Sequence, residues 1–532
     1  MSRKRKKHTP GDPLRHPDHR RPVTRREFLS QGFISGAGTV MTGSVFSLLA
    51  NSAFADTGHL LSPDLEELKD TLLHPLCDIR SAGAGRIPFI CFDLAGGANI
   101  AGSNVLIGQQ GGQLDFLSTA GYGKQGLPGD MVPPIVNPAT NTNDFVNTDL
   151  GLAFHSDSAF LRGIQNKVVQ AAGSINGAVI PARSDNDTGN NPHNPMYGIA
   201  RTGSAGQLLT LIGSEASESG GNSMARPDWV DLTVQPTKVD RGSDVTGLVD
   251  TGKLVGILDP HDAVAVLESI FRLSNLKLAN VDTKVALDAE IKERVRCGYG
   301  KSAFLAHDFG VPSLLNPALD TDLVGPGAIF SQTEYDSDGE FRKTAAVAKM
   351  VVNGLAGAGT IEMGGFDYHT GDRETGERQD LRAGRCMGAC LEYAARRGVP
   401  LMLYVFSDGS VFSNGMLDNS ADGRGKGVWT GDQSSTAASF FLVYSPTAQP
   451  TIFTGDGIPA ERHQQLGYMR ADGDVETAST PAANNVNLLA ETVVLNYLAL
   501  HAEQGNFGTQ FPSHGLGNGA LQDSLIAFNQ IV

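Results

Sequence analysis

Gly359-Thr360-Ile361-Glu362-Met363-Gly364-Gly365-Phe366-Asp367-Tyr368-His369, together with the helical and apolar runs on its C-terminal side, decides the fold. Gly359 to Met363 reads as a short buried strand that runs into a Gly-Gly turn and delivers Asp367 and His369 at its end. Leu381 to Arg397 has helical spacing and is closed by Gly398. Pro400 to Ser407 is a second apolar run, ending in Asp408-Gly409-Ser410. Apolar strands alternating with a helix predict a mostly parallel sheet covered on both faces.

The same rhythm continues outwards. Arg86 to Asp93 reads as another buried strand, ending in Asp93-Leu94-Ala95-Gly96-Gly97, and Ser439 to Tyr444 adds one more before a late helix from Leu488 to His501. Asp259-Pro260 opens a helix with Val264, Leu267, Ile270 and Phe271 at helical spacing. Further helices are expected through 285–295 and 341–355, making a helical block. Gly-, Ser- and Asn-rich stretches at 180–192 and 214–223 read as long surface loops. The expected class is α/β, a mostly parallel sheet sandwiched by helices.

Composition narrows the function. With 532 residues, 40% hydrophobic and 19% charged, the chain has ample material for a packed core, so disorder, coiled coil and a disulfide scaffold are excluded. Its net charge of -15 argues against binding nucleic acid or an anionic membrane. That charge is unevenly spread: residues 1–26 hold ten of the 42 Lys and Arg, and residues 1–55 hold three of the 57 acids. Thr24-Arg25-Arg26-Glu27-Phe28-Leu29 has the twin-arginine export pattern, and a weakly apolar stretch without Lys or Arg leads to Ala53-Phe54-Ala55, a small-x-small cleavage site. Residues 1–55 are therefore expected to be a signal peptide read by the twin-arginine translocase, with a periplasmic or secreted destination. Residues 56–532 then form a single domain with insertions around 205–345. This mature chain has a net charge of -22 and no stable membrane span.

Cys77, Cys91, Cys297, Cys386 and Cys390 are odd in number and lack metal or redox spacing, so they read as buried apolar side chains. The acids at strand ends carry more meaning. Asp93, Asp367 and Asp408 each end a strand, and in a parallel sheet such ends share one edge, so these carboxylates with His369 are candidate ligands of a divalent cation. Taken singly, each Asp is better explained as a cap or an Asx turn; the three together, with His369 two residues from Asp367, point to a site. Asp336-Ser337-Asp338-Gly339-Glu340 reads as a polar turn rather than a calcium loop, and Ser103 as a turn residue.

The order of Phe92-Asp93-Leu94-Ala95-Gly96-Gly97, Gly364-Gly365-Phe366-Asp367-Tyr368-His369 and Val405-Phe406-Ser407-Asp408-Gly409 resembles a largely uncharacterised, twin-arginine-exported bacterial family of the alkaline phosphatase/sulfatase-like superfamily. The resemblance spans roughly residues 86–445 and implies an alkaline-phosphatase-like three-layer architecture. It further implies a metal-dependent hydrolase of small anionic phosphate or sulfate esters, with Asp93, Asp367, His369 and Asp408 at the metal site and Ca²⁺, Mg²⁺ or Zn²⁺ as its cofactor. The nucleophile element of that superfamily is matched by Asn190 to Gly203, which places His193 or Asn194 at the head of a helix where a Ser or Thr is usual. Gly409 stands where the superfamily has a His, and Gly423-Arg424-Gly425-Lys426-Gly427-Val428-Trp429 lacks another. Arg201, Arg424 and Lys426 are the cations that an anionic substrate would meet. The alternative is a non-catalytic periplasmic or cell-surface binding or assembly protein on the same fold.

Overall fold

In a computed structural model, the described residues are 85–184, 194–215, 226–249, 258, 260–282, 284, 287–309 and 312–532. Arg25, Arg26, Ala53, Ala55, Cys77 and His193 lie outside them. Seven strands form the central sheet: β1 (Phe89–Leu94), β4 (Ile175–Pro181), β5 (Leu209–Gly213), β6 (Thr237–Lys238), β7 (Ala356–Met363), β8 (Leu401–Phe406) and β11 (Ala438–Tyr444). Their order is β4-β11-β8-β1-β7-β5-β6. Two hairpins lie outside this sheet, β2 (Val146–Leu150) with β3 (Leu152–His155), and β9 (Val411–Asp418) with β10 (Lys426–Asp432). The helices that matter below are α1 (Ala159–Lys167), α2 (Met196–Arg201), α3 (Pro260–Ala279), α4 (Asp288–Phe309), α5 (Gly339–Val352), α6 (Glu374–Arg397) and α7 (Val486–Ala499).

The sheet is mostly parallel, as its buried apolar strands predict. β1 pairs in parallel with both β7 and β8, and β5 pairs in parallel with β6 and β7. β11 is the exception, antiparallel to both β4 and β8. Alternation along β7 shows the two covered faces. Ala358 belongs to the core built with Met196 of α2 and Leu489, Val493 and Leu498 of α7, whereas an ideal Cβ on its neighbour Gly359 would lie 2.7 Å from Val347 and 2.8 Å from Val351 of α5. Helix α6 covers that second face beside α5, and α1 packs on α6. Three layers result.

Of the residues 341–355 expected to join a helical block, 341–352 are instead part of α5, which packs on β7. Helices α3 and α4 pack on each other within a separate compact unit, and the remaining described residues belong mainly to the larger one. Asp338 caps α5 through a hydrogen bond from Glu340 N and is paired with Arg382, which gives the Asp336–Glu340 acids a structural role. Cys91, Cys386 and Cys390 are buried thiols, and Cys297 departs from the expectation in being disulfide-bonded. No helix among the described residues is long and apolar enough to cross a membrane.

Candidate functional site

The loops that follow β1, β7 and β8, three adjacent parallel strands, are knitted together at the carboxyl ends of those strands. Gly96 N donates to Asp408 Oδ1 at 2.7 Å, Ala98 N to Ser407 Oγ at 2.8 Å and Asn99 N to Tyr368 Oη at 2.7 Å. Ser407 Oγ in turn donates to Leu94 O at 2.6 Å, and Phe366 N donates to Ala95 O at 3.2 Å. The Gly96-Gly97 turn is thus tied to the Asp367 loop on one side and to the Asp408 loop on the other. Carboxyl ends of parallel strands are where open α/β sheets build ligand sites.

Two acidic groupings occupy this edge. In the first, Asp93 is 5% exposed and stands opposite Glu362 in the β1–β7 register. Burial, then the charges of Asp408 and Glu362, push its carboxyl well above the usual carboxylate range. In the second, Asp367, His369 and Asp432 place their ligand atoms within 4.8 Å of one another. His369 Nδ1 lies 2.6 Å from Asp367 Oδ1 and 3.2 Å from Asp432 Oδ1. That nitrogen is shielded from solvent, yet neither contact has hydrogen-bond geometry, leaving a buried ring nitrogen between two carboxylates. Two carboxylates and one imidazole are a donor set for a divalent cation, and the separations suit metal–ligand bonds of about 2.0 to 2.6 Å.

Of the sequence-predicted ligands, the structure joins Asp367 and His369 to each other and sets Asp93 near Asp408. Asp432 was missed, because it arrives on the β9–β10 hairpin rather than at the end of a buried strand. The hairpin is held by a buried charge cluster. Gly371 N donates to Trp429 O at 2.7 Å, and the Arg373 guanidinium lies 4.6 Å from the Trp429 ring centroid. Arg373 Nη2 donates to Glu377 at 2.6 Å, Lys426 Nζ to the same carboxylate at 2.8 Å and Arg162 Nη2 at 2.8 Å. Burial alone would raise the Glu377 carboxyl, but Arg373 and Lys426 outweigh it and hold the group below its ordinary value.

Cations assigned to the substrate from sequence are placed elsewhere. Lys426 is fully buried on Glu377 and Asp157, and Arg424 is paired with Asp157, whose carboxyl is held down to about 2 as Arg424 and Lys426 overcome its burial. Arg201 stacks on Phe511 at the far end of α2. Asn194 is 1% exposed; its Nδ2 donates to Thr360 Oγ1 at 3.0 Å and its Oδ1 accepts from Met196 N at 3.0 Å. That is the work of a buried residue fixing the start of α2 to β7, where the resemblance places a nucleophile. His155 is a buried structural residue, its pKa lowered to about 4 by burial and by Lys426.

Beneath the loop, Tyr368 Oη donates to Asp380 Oδ1 at 3.1 Å and Asn104 Nδ2 donates to Asp380 Oδ2 at 2.7 Å. Burial, then the charge of Glu377, raises Asp380 to about 7. Tyr368 lies between Asp367 and His369 in sequence, so this buried network sets the conformation of the ligand loop.

Comparisons of the chain with protein-family models, with curated proteins and with solved structures find no match. The site therefore rests on its own geometry.

Proposed function

We propose that the protein is an exported, metal-dependent hydrolase of small phosphate or sulfate esters, organised like the alkaline phosphatase/sulfatase superfamily. The observation that carries this reading is the convergence of Asp367, His369 and Asp432 at the carboxyl edge of the sheet. A bound divalent cation would supply Lewis acidity towards an ester oxygen and lower the pKa of water. Within the chain, Asp367 and Asp432 supply negative charge and His369 an imidazole nitrogen, and three protein ligands are the number that leaves a coordination position for substrate. Imidazole among the donors favours Zn²⁺ over Ca²⁺ or Mg²⁺. Asn194 is committed to Thr360 and Met196, so the attacking group in this reading is His193 or water.

One observation favours the second reading, a non-catalytic binding or assembly protein. Lys426 and Arg424 are paired with acids and Arg201 lies elsewhere, which leaves the acidic edge without the cations proposed to receive an anion. Metal analysis of the purified chain, with aryl phosphate and aryl sulfate assays on wild type, Asp367→Ala and Asp432→Ala, separates the two. Stoichiometric metal and turnover, both lost in the two variants, support the hydrolase. Metal without turnover supports the binding module, and metal-free protein sinks the site itself. Export is tested by replacing Arg25 and Arg26 with Lys, which should leave the chain in the cytoplasm.

A further inference from the structure

A second site lies at the other end of α2 from Asn194. A cleft of about 300 Å³ opens between the end of α2, the turn at 226–229, the first turns of α7 and the segment 511–515. That volume is at the lower end of small-molecule sites. Arg201, Arg226, Asp228, Trp229, Glu491 and Phe511 are among its lining residues.

Glu491 is the key group. It is 5% exposed, and its oxygens accept from Gly515 N at 2.9 Å and from Trp229 Nε1 at 3.5 Å. Burial raises its carboxyl above the usual range. No Lys or Arg among the described residues pairs with it, although buried carboxylates ordinarily have a cationic partner. His514 is in the same lining, but its Nδ1 accepts from Leu516 N at 3.3 Å. A buried acid on a cleft wall, held by hydrogen-bond donors and paired with no Lys or Arg among the described residues, is suited to receive a ligand's positive charge.

The opposite charge lines the same cleft. Arg201 donates Nε to Gln510 O at 2.9 Å and stacks on the Phe511 ring at 5.6 Å, and its two terminal nitrogens have no hydrogen-bond or ion-pair partner among the described residues. Such a fork matches a carboxylate bidentately. Trp229 and Phe511 meet edge to face at 6.2 Å and give the cleft an apolar wall. Arg201 and Glu491 line the same cleft without pairing with each other, which leaves both charges for a ligand that carries both.

We propose that this cleft binds a small zwitterion, an α-amino acid or short peptide, with its ammonium on Glu491 and its carboxylate on Arg201. None of these residues belongs to the metal edge, so the proposal stands or falls separately from the hydrolase reading. The test is a thermal-shift screen of the full chain against the twenty common L-amino acids, with glucose and inorganic phosphate alongside, followed by calorimetry on the best ligand. The expected result is saturable binding that weakens at least tenfold when either the ligand's amine is acetylated or its carboxylate is converted to an amide. Arg201→Gln and Glu491→Gln should each weaken binding by a similar factor. Arg201 is exposed, so its variant keeps the test sound should Glu491→Gln fail to fold. Absence of binding by every amino acid, equal binding of the blocked analogues, or binding of glucose or phosphate in their place overturns the proposal.

Discussion

Gly96 stands directly against Asp367: an ideal Cβ at Gly96 would lie 2.6 Å from Asp367 N and 2.9 Å from Asp367 Cβ, at a φ of +123°. The turn after β1 and the loop after β7 can share the sheet edge because residue 96 has no side chain. Gly96→Ala should therefore shift the ligand loop as well as strain the turn. A loss of roughly 1 to 3 kcal/mol in stability is expected, measured by denaturant unfolding, together with weaker metal binding than wild type. Wild-type stability in the variant would show that the turn can move without cost.

Glu377 links three cations, and removing it strands them. Glu377→Ala leaves Arg373 and Lys426 buried without their shared acid, a defect costing roughly 3 to 5 kcal/mol. Thermal unfolding should show a large fall, and Glu377→Gln should recover only part of it, since the amide accepts hydrogen bonds but carries no charge. A small effect of Glu377→Ala would mean that Lys426 finds its charge balance through Asp157 alone.

Asp380 gives stability a pH dependence of known sign. Its folded pKa of about 7 lies above the ordinary value of 3.8, so the folded chain keeps a proton that the unfolded chain has released. Its contribution therefore disfavours folding progressively as pH rises from about 4 to about 7, by at most about 1.4 kcal/mol per pH unit. Asp380→Asn should flatten that window and be relatively more stable at pH 8 than at pH 4 when compared with wild type. Denaturant midpoints across pH 4 to 8 measure this, and an unchanged slope would assign the proton elsewhere.

The edge of the sheet was legible because β1, β7 and β8 are apolar runs that end abruptly in Gly and Asp, and two-sided burial leaves that mark on a sequence. The direction of β11 was not legible: Ala438–Tyr444 is buried throughout, as the parallel strands are, and nothing in an apolar run records polarity. β4, with Asn176 and Gly177 inside it, has an interrupted pattern, and its last two residues, Ile180 and Pro181, fall where a surface loop was expected. Asp432 was hidden for a different reason. The β9–β10 pairing has register shifts between Gly427 and Trp429 and again between Trp429 and Gly431, and much of β9 is exposed, so no simple alternation announces the hairpin. His369 was recognisable from its motif, whereas its contact with Asp432 depends on the Trp429–Arg373 stack, which pairs residues far apart in sequence.

Asn194 offers the clearest separation of a structural residue from a chemical one. Its side-chain bonds to Thr360 Oγ1 and from Met196 N are buried and join α2 to β7. Asn194→Ala leaves the Thr360 hydroxyl and the Met196 amide short of a partner, at a cost of roughly 1 to 3 kcal/mol. Metal affinity, and any ester turnover measured well below the unfolding temperature, should stay within about twofold of wild type, since a change in binding of about 0.4 kcal/mol is about a factor of two. Asn194→Asp preserves the acceptor for Met196 N but loses the donor to Thr360 and buries a carboxylate at a position only 1% exposed, and should be at least as destabilising as Asn194→Ala. If Asn194→Ala instead abolishes turnover while the unfolding midpoint is unchanged, the side chain acts in the chemistry and water is not the sole attacking group.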